Sequence, residues 1–420
     1  MLFDRPEAGR RTLLLQVELR QQANPDAQEL AELARSAELV VATVATAKRD
    51  APHPRWFIGS GKVDELKQML AFHDADIVLV NHDLSPAQQR NLEQALECRL
   101  ITRTELILTI FADRARSHEG QLQVELAQLK HAQTRLVRGW THLDRQKGGI
   151  GLRGAGEKQI ELDQRMLSER IKATQAKIAE VSKRRQQNRR GRNRRGTPTI
   201  TLVGYTNAGK STLFNSLTDA QVLAQDMLFA TLDPTMRKVQ IPGTGEVVLA
   251  DTVGFVSLLP HTLIEAFKAT LEEVIYSDLL LHVVDVSDPL WRERMEQVQQ
   301  VLDEIGAAQL RQLVVLNKAD LLEEEQQHAL EGFGCLTSAQ HNIGLEALVA
   351  QIGDLLGVVA PHQVLLPATD GRNRAWLYRS GAVLSETVLE DGSVQLTVQA
   401  DQQLLGQIKQ KAGLSLDSAH

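Results

Sequence analysis

Apolar positions recur along the chain with two alternating periods. Between residues 12 and 110, short apolar runs at 13–17, 39–44, 77–80 and 100–101 are separated by stretches of helical spacing near 26–35, 61–72 and 85–96. Strand and helix in alternation predict a small parallel α/β unit, because parallel neighbours need a crossover and a helix supplies it. Further on, Leu122, Leu126, Leu129 and Leu136 mark one helix, while Leu167, Ile171, Thr174, Ile178 and Val181 repeat at spacings of four and three. A seam of that period predicts an antiparallel helical hairpin or short coiled coil. The intervening QKGGIGLRGAGEKQ, residues 146–159, is too rich in glycine to be helical.

From residue 199 to about 359, apolar runs at 200–203, 246–250, 279–284 and 312–316 alternate with helical segments. Strands that are apolar throughout are buried on both faces and predict a doubly wound parallel sheet. After Pro361, apolar runs at 364–366, 383–388 and 394–398, the last two joined by a turn at Asp391-Gly392, predict three strands. Helices are expected over 370–379 and 401–411. The chain thus divides into an N-terminal α/β domain (1–115), a helical hairpin with a glycine-rich loop and basic linker (116–196), an α/β domain (197–360) and a small C-terminal α+β domain (361–420).

Composition narrows this little. With 420 residues, 43% hydrophobic but only 4% aromatic, and a net charge of −6, the chain suits several ordinary cores. No apolar run approaches the roughly 18 residues of a membrane span, and the start MLFDRPEAGR lacks the apolar centre of a signal peptide, so a cytoplasmic protein without membrane insertion is expected. Cys98 and Cys335 lack CxxC spacing and predict reduced thiols. The charge is uneven, with eight Lys/Arg and no acid in the thirteen residues 183–195, which is either a solvated helix end or a contact for RNA phosphates.

The chemistry concentrates where strand gives way to helix. Residues 204–211, Gly204, Tyr205, Thr206, Asn207, Ala208, Gly209, Lys210 and Ser211, read GxxxxGKS, follow the run 199–203 and lead through Thr212 into a helix. Successive backbone N–H groups of such a loop wrap a β-phosphate, the lysine reaches the γ-phosphate, and the serine hydroxyl faces Mg²⁺. Asp251, Thr252, Val253 and Gly254 then follow the run 246–250, placing a carboxylate for Mg²⁺, through water, and a glycine N–H for the γ-phosphate.

The base is read further on. Asn317, Lys318, Ala319 and Asp320 end the run 312–316, and the Asp320 carboxylate can accept from both N1–H and the exocyclic amine of guanine. Adenine would leave that carboxylate buried and unpaired, so GTP is preferred over ATP. Asn317 and Lys318 are expected to brace the loop and stack on the base. Ser338 and Ala339 fit, by order and distance, the loop whose backbone N–H meets guanine O6. A threonine must also close on Mg²⁺ and the γ-phosphate, and within FATLDPT, residues 229–235, both Thr231 and Thr235 qualify.

GYTNAGKSTLFN, FATLDPT, DTVGF, NKAD and the upstream LVRGWTHLDRQKGGIGLRGAGE together resemble the HflX family, ribosome-associated GTPases of the Era/TrmE-like branch. The resemblance covers about 50–360. It implies that Thr231 is the residue reaching Mg²⁺, that Phe229, Ala230, Thr231, Leu232 and Asp233 line the nucleotide, and that the 197–360 domain is a P-loop GTPase domain. It also implies GTP-dependent binding to the large ribosomal subunit and its rRNA by a monomer, and splitting of stalled ribosomes under heat stress. The hairpin tip, with Arg145, Lys147, Arg153 and Lys158, is then directed into the ribosome.

One departure from Ras-type GTPases has consequences for rate. Where a glutamine would orient the attacking water, the chain has Phe255, whose side chain cannot, so slow intrinsic hydrolysis is expected and the missing help must come from backbone, cation or partner. Asn207 occupies the loop position that coordinates K⁺ in TrmE-like relatives; its alternative role is loop bracing. Gly149, Gly151 and Gly154 match GxGxxG without a preceding strand. Gly59, Ser60, Gly61 and Lys62 resemble half a phosphate loop with Trp56 at the first glycine position, leaving ATP-driven RNA remodelling through the N-terminal domain as an alternative. A GTPase acting in rRNA or tRNA maturation is another.

Overall fold

The computed structural model describes residues 9–20, 26–139, 155–194, 197–218, 228–229, 234–242, 245–257, 271, 273–356, 362–380, 382–389, 391–398, 408 and 416–418. Contacts divide the chain into two compact units. The first is Met1–Ser182 with Gln225–Asp233 and Phe255–Thr270; the second is Lys183–Ala224, Pro234–Gly254 and Leu271–His420. The division does not follow chain order: it falls directly after Gly254.

In the first unit, β1 (Arg11–Leu19), β2 (Val40–Arg49), β3 (Ile77–Val80) and β4 (Arg99–Thr102) form a parallel sheet in the order β2-β1-β3-β4. The crossovers contain α1 (Ala27–Ser36), α2 (Ser60–His73) and α3 (Pro86–Leu96), and α4 (Arg103–Arg114) follows β4. Local chemistry sets the helix starts. Ser85 and Gln88 form a capping box ahead of Pro86, and Thr102 and Glu105 form a second one at α4. Helix α4 has no counterpart in the apolar pattern. Arg103, Thr104 and Leu106 to Phe111 are buried in near-unbroken succession, which blurs the period, and the helix begins directly after β4 without a loop.

The hairpin forms from α5 (His118–Gly139) and α6 (Ala155–Arg194). Its seam holds Leu126, Leu129 and Ile171 with Leu167 and Ile178, and Gln133 Nε2 donates to Ser168 Oγ at 3.2 Å while Arg170 pairs with Glu125 at 3.0 Å. Residue numbers that rise on one helix and fall on its partner make it antiparallel. Helix α6 corrects two boundaries: it starts at Ala155, inside the stretch expected as loop, and runs through the basic segment to Arg194. Residues 140–154, with most of the glycine-rich loop, lie outside the described residues.

The second unit contains two sheets. β5 (Thr199–Gly204), β6 (Thr235–Ile241), β7 (Gly245–Asp251), β8 (Leu279–Asp285), β9 (Gln312–Asn317) and β10 (Cys335–Leu336) lie in the order β10-β9-β8-β5-β7-β6. All neighbours are parallel except the edge strand β6, which pairs antiparallel with β7. Its polar, half-exposed sequence TMRKVQI suits an edge and escapes an apolar count. Helices α7 (Lys210–Thr218) and α8 (Trp291–Glu304) flank the site. The C-terminal sheet, β11 (His362–Leu366), β12 (Val383–Val388), β13 (Val394–Val398) and β14 (Leu416–Ser418), is antiparallel in the order β12-β13-β11-β14, one strand more than expected. Of the helix expected over 401–411, only residue 408 is among the described residues. No helix among the described residues is long and apolar enough to cross a membrane.

Candidate functional site

The chain leaves β5 through Gly204, at φ +152, where a Cβ would lie 2.2 Å from the Val283 carbonyl oxygen on β8. Two more left-handed residues follow, Asn207 at φ +62 and Gly209 at φ +89, before α7 starts at Lys210. Alternation of this kind turns successive N–H groups toward one point and builds an anion cradle at a helix start. Gly209 is required for a second reason. A Cβ there would be 2.2 Å from Asn317 Nδ2, which donates to Ala208 O at 2.9 Å. The same side chain accepts from Ala339 N–H through Oδ1 at 3.0 Å. Asn317 therefore ties the phosphate loop, the NKAD loop and the Ser338-Ala339 loop together, and Ser216 of α7 adds a bond to Ala339 O at 2.8 Å.

Lys210 is buried, its Nζ donates to Tyr205 O at 2.7 Å, and burial lowers its pKa to about 8 against the opposing pull of Asp251. Ser211 Oγ donates to Asp251 Oδ2 at 2.7 Å, and the Asp251 carboxylate is fully buried. A hydroxyl beside a buried carboxylate is an all-oxygen donor set of the kind that suits Mg²⁺. Thr252 Oγ1 donates to Leu202 O at 2.7 Å and fixes the end of β7 to β5. Gly254 follows Val253 and is packed so tightly that a Cβ would lie 2.7 Å from Thr206 Cγ2 and 2.9 Å from Lys210 Nζ. The glycine assigned to the γ-phosphate is thus against the lysine assigned to the same group.

At the base loop, Lys318 takes φ +62 and pairs with Asp285 at 2.7 Å, and the Asp320 carboxylate has His341 Nε2 at 3.6 Å. Ala319 N–H donates to Thr337 O at 3.0 Å. The N–H groups of Ser338 and Ala339 donate to Ile343 O and Asn317 Oδ1, which brace the loop expected to meet guanine O6. Phe229 is buried and meets Phe111 edge-on at 4.5 Å between ring centres. Ala230, Thr231, Leu232 and Asp233 lie outside the described residues, while Thr235 begins β6 opposite Asp251 and is committed to the strand ladder. The GSGK stretch lacks the phosphate-loop geometry: Gly59 has φ −74, and Lys62 pairs with Glu65 at 2.6 Å.

Two features have little or no local signal. His282, buried mid-strand in β8, has no hydrogen-bond partner for Nε2 among the described residues, and its pKa falls to about 4 through burial and, less, through Lys210. A lone histidine in the run LLLHVVD was the available hint. The second is a buried ion pair, Glu29 with Arg103, 74 residues apart, that holds the backbone of Ser257, 228 residues from Glu29.

Residues 199–318 match the family model described as 50S ribosome-binding GTPase, residues 24–112 that of the GTP-binding GTPase N-terminal region, and residues 114–192 that of the middle region. The chain is 49% identical over 404 residues to GTPase HflX of Escherichia coli (strain K12), covering 94% of this chain and 95% of that one. It is 45% identical to GTPase HflX of Magnetococcus marinus, with 91% and 89% covered, and 44% identical to that of Caldanaerobacter subterraneus, with 87% and 85% covered. Identity of that order over nearly the full length, on a P-loop α/β fold, shows that the chain belongs to the HflX family of GTPases.

Proposed function

We propose that this GTPase is a ribosome-directed switch that binds the large subunit in its GTP form, through rRNA, and splits stalled ribosomes. The observation that carries the reading is the position of the unit boundary. The chain passes in one peptide bond from Gly254, packed on the phosphate loop, to Phe255, which belongs to the unit carrying the hairpin. A change at Gly254 is therefore delivered directly to the part of the chain that the family resemblance directs into the ribosome.

In this reading GTP lies along Gly204 to Thr212, Lys210 exchanges the Tyr205 carbonyl for phosphate oxygens, and Asp320 pairs with guanine. Ser211 and Asp251, with Thr231 by the family resemblance, would hold Mg²⁺. The ion would neutralise charge developing on the phosphate oxygens. Phe255 is buried and offers the water nothing, which favours an intrinsically slow enzyme. Asn207, in a left-handed turn of the loop, supports a second reading in which K⁺ supplies the missing charge. Turnover of wild type and Asn207→Ala in K⁺ and Na⁺ tests it; equal rates in all four would remove K⁺. The ATP-driven alternative has no cradle at Gly59 to Lys62 to support it.

Sedimentation with purified ribosomal subunits in GTP, GDP and a non-hydrolysable GTP analogue tests the main proposal. Pelleting with the large subunit in the analogue and not in GDP is expected, together with a fall in light scattering from stalled 70S particles. Nucleotide-independent pelleting, or none, would overturn it.

A further inference from the structure

Strand β8 runs beside β5 in parallel register, with His282 opposite Val203 and Val283 opposite Gly204, where the phosphate loop begins. Side chains alternate between the two faces of a strand. Leu281 and Val283 join the core that contains Leu213 and Phe214 of α7, so His282 points to the other face, the one covered by α8. There it lines a small cavity with Tyr205, Thr206 and Ala208 of the loop and with Trp291 and Met295 of α8. Arg294 of α8 lies over the Tyr205 ring at 4.8 Å and pairs with Asp288, which clamps the residue next to Thr206.

Two polar atoms at this cavity are buried without a hydrogen-bond partner among the described residues, His282 Nε2 and Thr206 Oγ1. Their residues are 2% and 4% exposed. An orphaned buried polar atom is costly, and two at one cavity point to a shared ligand. The cavity leaves about 10 Å³ for the centre of a water molecule, which is room for one. Water both donates and accepts, so it can serve the hydroxyl and the ring nitrogen together. Burial, and to a lesser extent Lys210, lower the His282 pKa to about 4, so the ring is neutral at neutral pH.

The other side of Thr206 meets the residues assigned to the γ-phosphate. A Cβ on Gly254 would lie 2.7 Å from Thr206 Cγ2, 2.8 Å from Thr206 Cα and 2.9 Å from Lys210 Nζ. Thr206 is therefore the surface on which Gly254 is seated, and a shift of Thr206 moves Gly254 relative to Lys210. All of these residues belong to the second unit.

We propose that His282 is a positioning residue for GTP hydrolysis: with Thr206 it holds one buried water beneath the phosphate loop, and through Thr206 it fixes the seat of Gly254 against Lys210. The proposal rests on the GTPase assignment and on the role read for Gly254, and it involves no ribosome. GDP lacks the phosphate that Gly254 meets, so its binding is indifferent to the seat.

The test uses the full-length protein without ribosomes. In His282→Leu the water loses one of its two side-chain partners, while the strand keeps an apolar side chain of similar size. Affinity for a non-hydrolysable GTP analogue and single-turnover hydrolysis are expected to fall about fivefold, with GDP affinity within about twofold. His282→Gln, whose amide reaches the Nε2 position, should recover most of the loss, and His282→Asn, which reaches only the Nδ1 position, should not. Thr206→Val should match His282→Leu, and the double variant Thr206→Val/His282→Leu should lose no more than either alone, because both act on one water. The double variant leaves neither polar atom orphaned, and decides the matter if a single variant does not fold. A crystal structure of the GDP form should show one water within hydrogen-bond distance of both atoms. Equal losses for analogue and GDP, additive losses in the double variant, no change, or a dry cavity would each overturn the proposal. Gly254→Ala tests the premise separately: a loss no greater for the analogue than for GDP would refute the role of Gly254, and the proposal with it.

Discussion

The phosphate loop and the segments that flank the residues assigned to the γ-phosphate are built by different means. Lys210 finds its partner five residues away, at Tyr205, and the other contacts of the loop go to motifs that declare themselves, Asn317 and Asp251. Ser257 finds Glu29 across 228 residues and Leu228 finds Ser36 across 192. The first region is a preformed anion cradle, fixed by left-handed glycines and one asparagine. The second is held by helices α1 and α4 of its own compact unit. The cradle is therefore tied together by residues of recognisable motifs, and the segments around Ser257 and Leu228 by residues with no motif of their own.

The sharpest way to separate the two is to change base recognition alone. In Asp320→Asn, one acceptor becomes a donor, which suits xanthine better than guanine; GTP turnover should fall roughly a thousandfold and be recovered on XTP. Turnover assays with both nucleotides check this. Gly209→Ala strikes the cradle instead. With a Cβ 2.2 Å from Asn317 Nδ2 at φ +89, GDP and the GTP analogue should lose affinity together, on the order of a hundredfold, in fluorescent-nucleotide titrations. A loss confined to the analogue would break the comparison.

His282 tests whether the cradle also stabilises the fold. Its folded pKa, about 4, lies below the unfolded value of 6.5, so protons bind preferentially to the unfolded chain between those values. Stability should be complete above pH 6.5 and decline as pH falls toward 4, by about 3 kcal/mol from this group. Denaturant titrations of His282→Leu should show a flatter acid limb than wild type. The smallest effect is expected for Ser36→Ala, which removes one hydrogen bond to Leu228 and should cost about 1 kcal/mol of unfolding free energy, read by denaturant titration.

Much of the site could be read from sequence because its geometry is dictated by residue type at fixed spacing. Gly204 and Gly209 are glycine because a Cβ would meet Val283 O and Asn317, and Lys210 opens a helix because that is where the loop ends. Helix α4 was hidden because burial on every side erases the period by which helices are recognised, and β6 because an edge strand needs no apolar face. Order and distance place Ser338 and Ala339 near the base but do not show that Ile343 and Asn317 accept from their N–H groups.

By itself, the sequence determined that this chain binds and hydrolyses GTP on a P-loop α/β domain, since each requirement there is met by a side chain or a glycine that must appear as a letter. Only the tertiary structure decided that Ser257, shortly after Gly254, is held by helices α1 and α4. Glu29 and Arg103 grip the peptide group of Ser257, which every residue but proline presents alike, so nothing at position 257 could announce its partners.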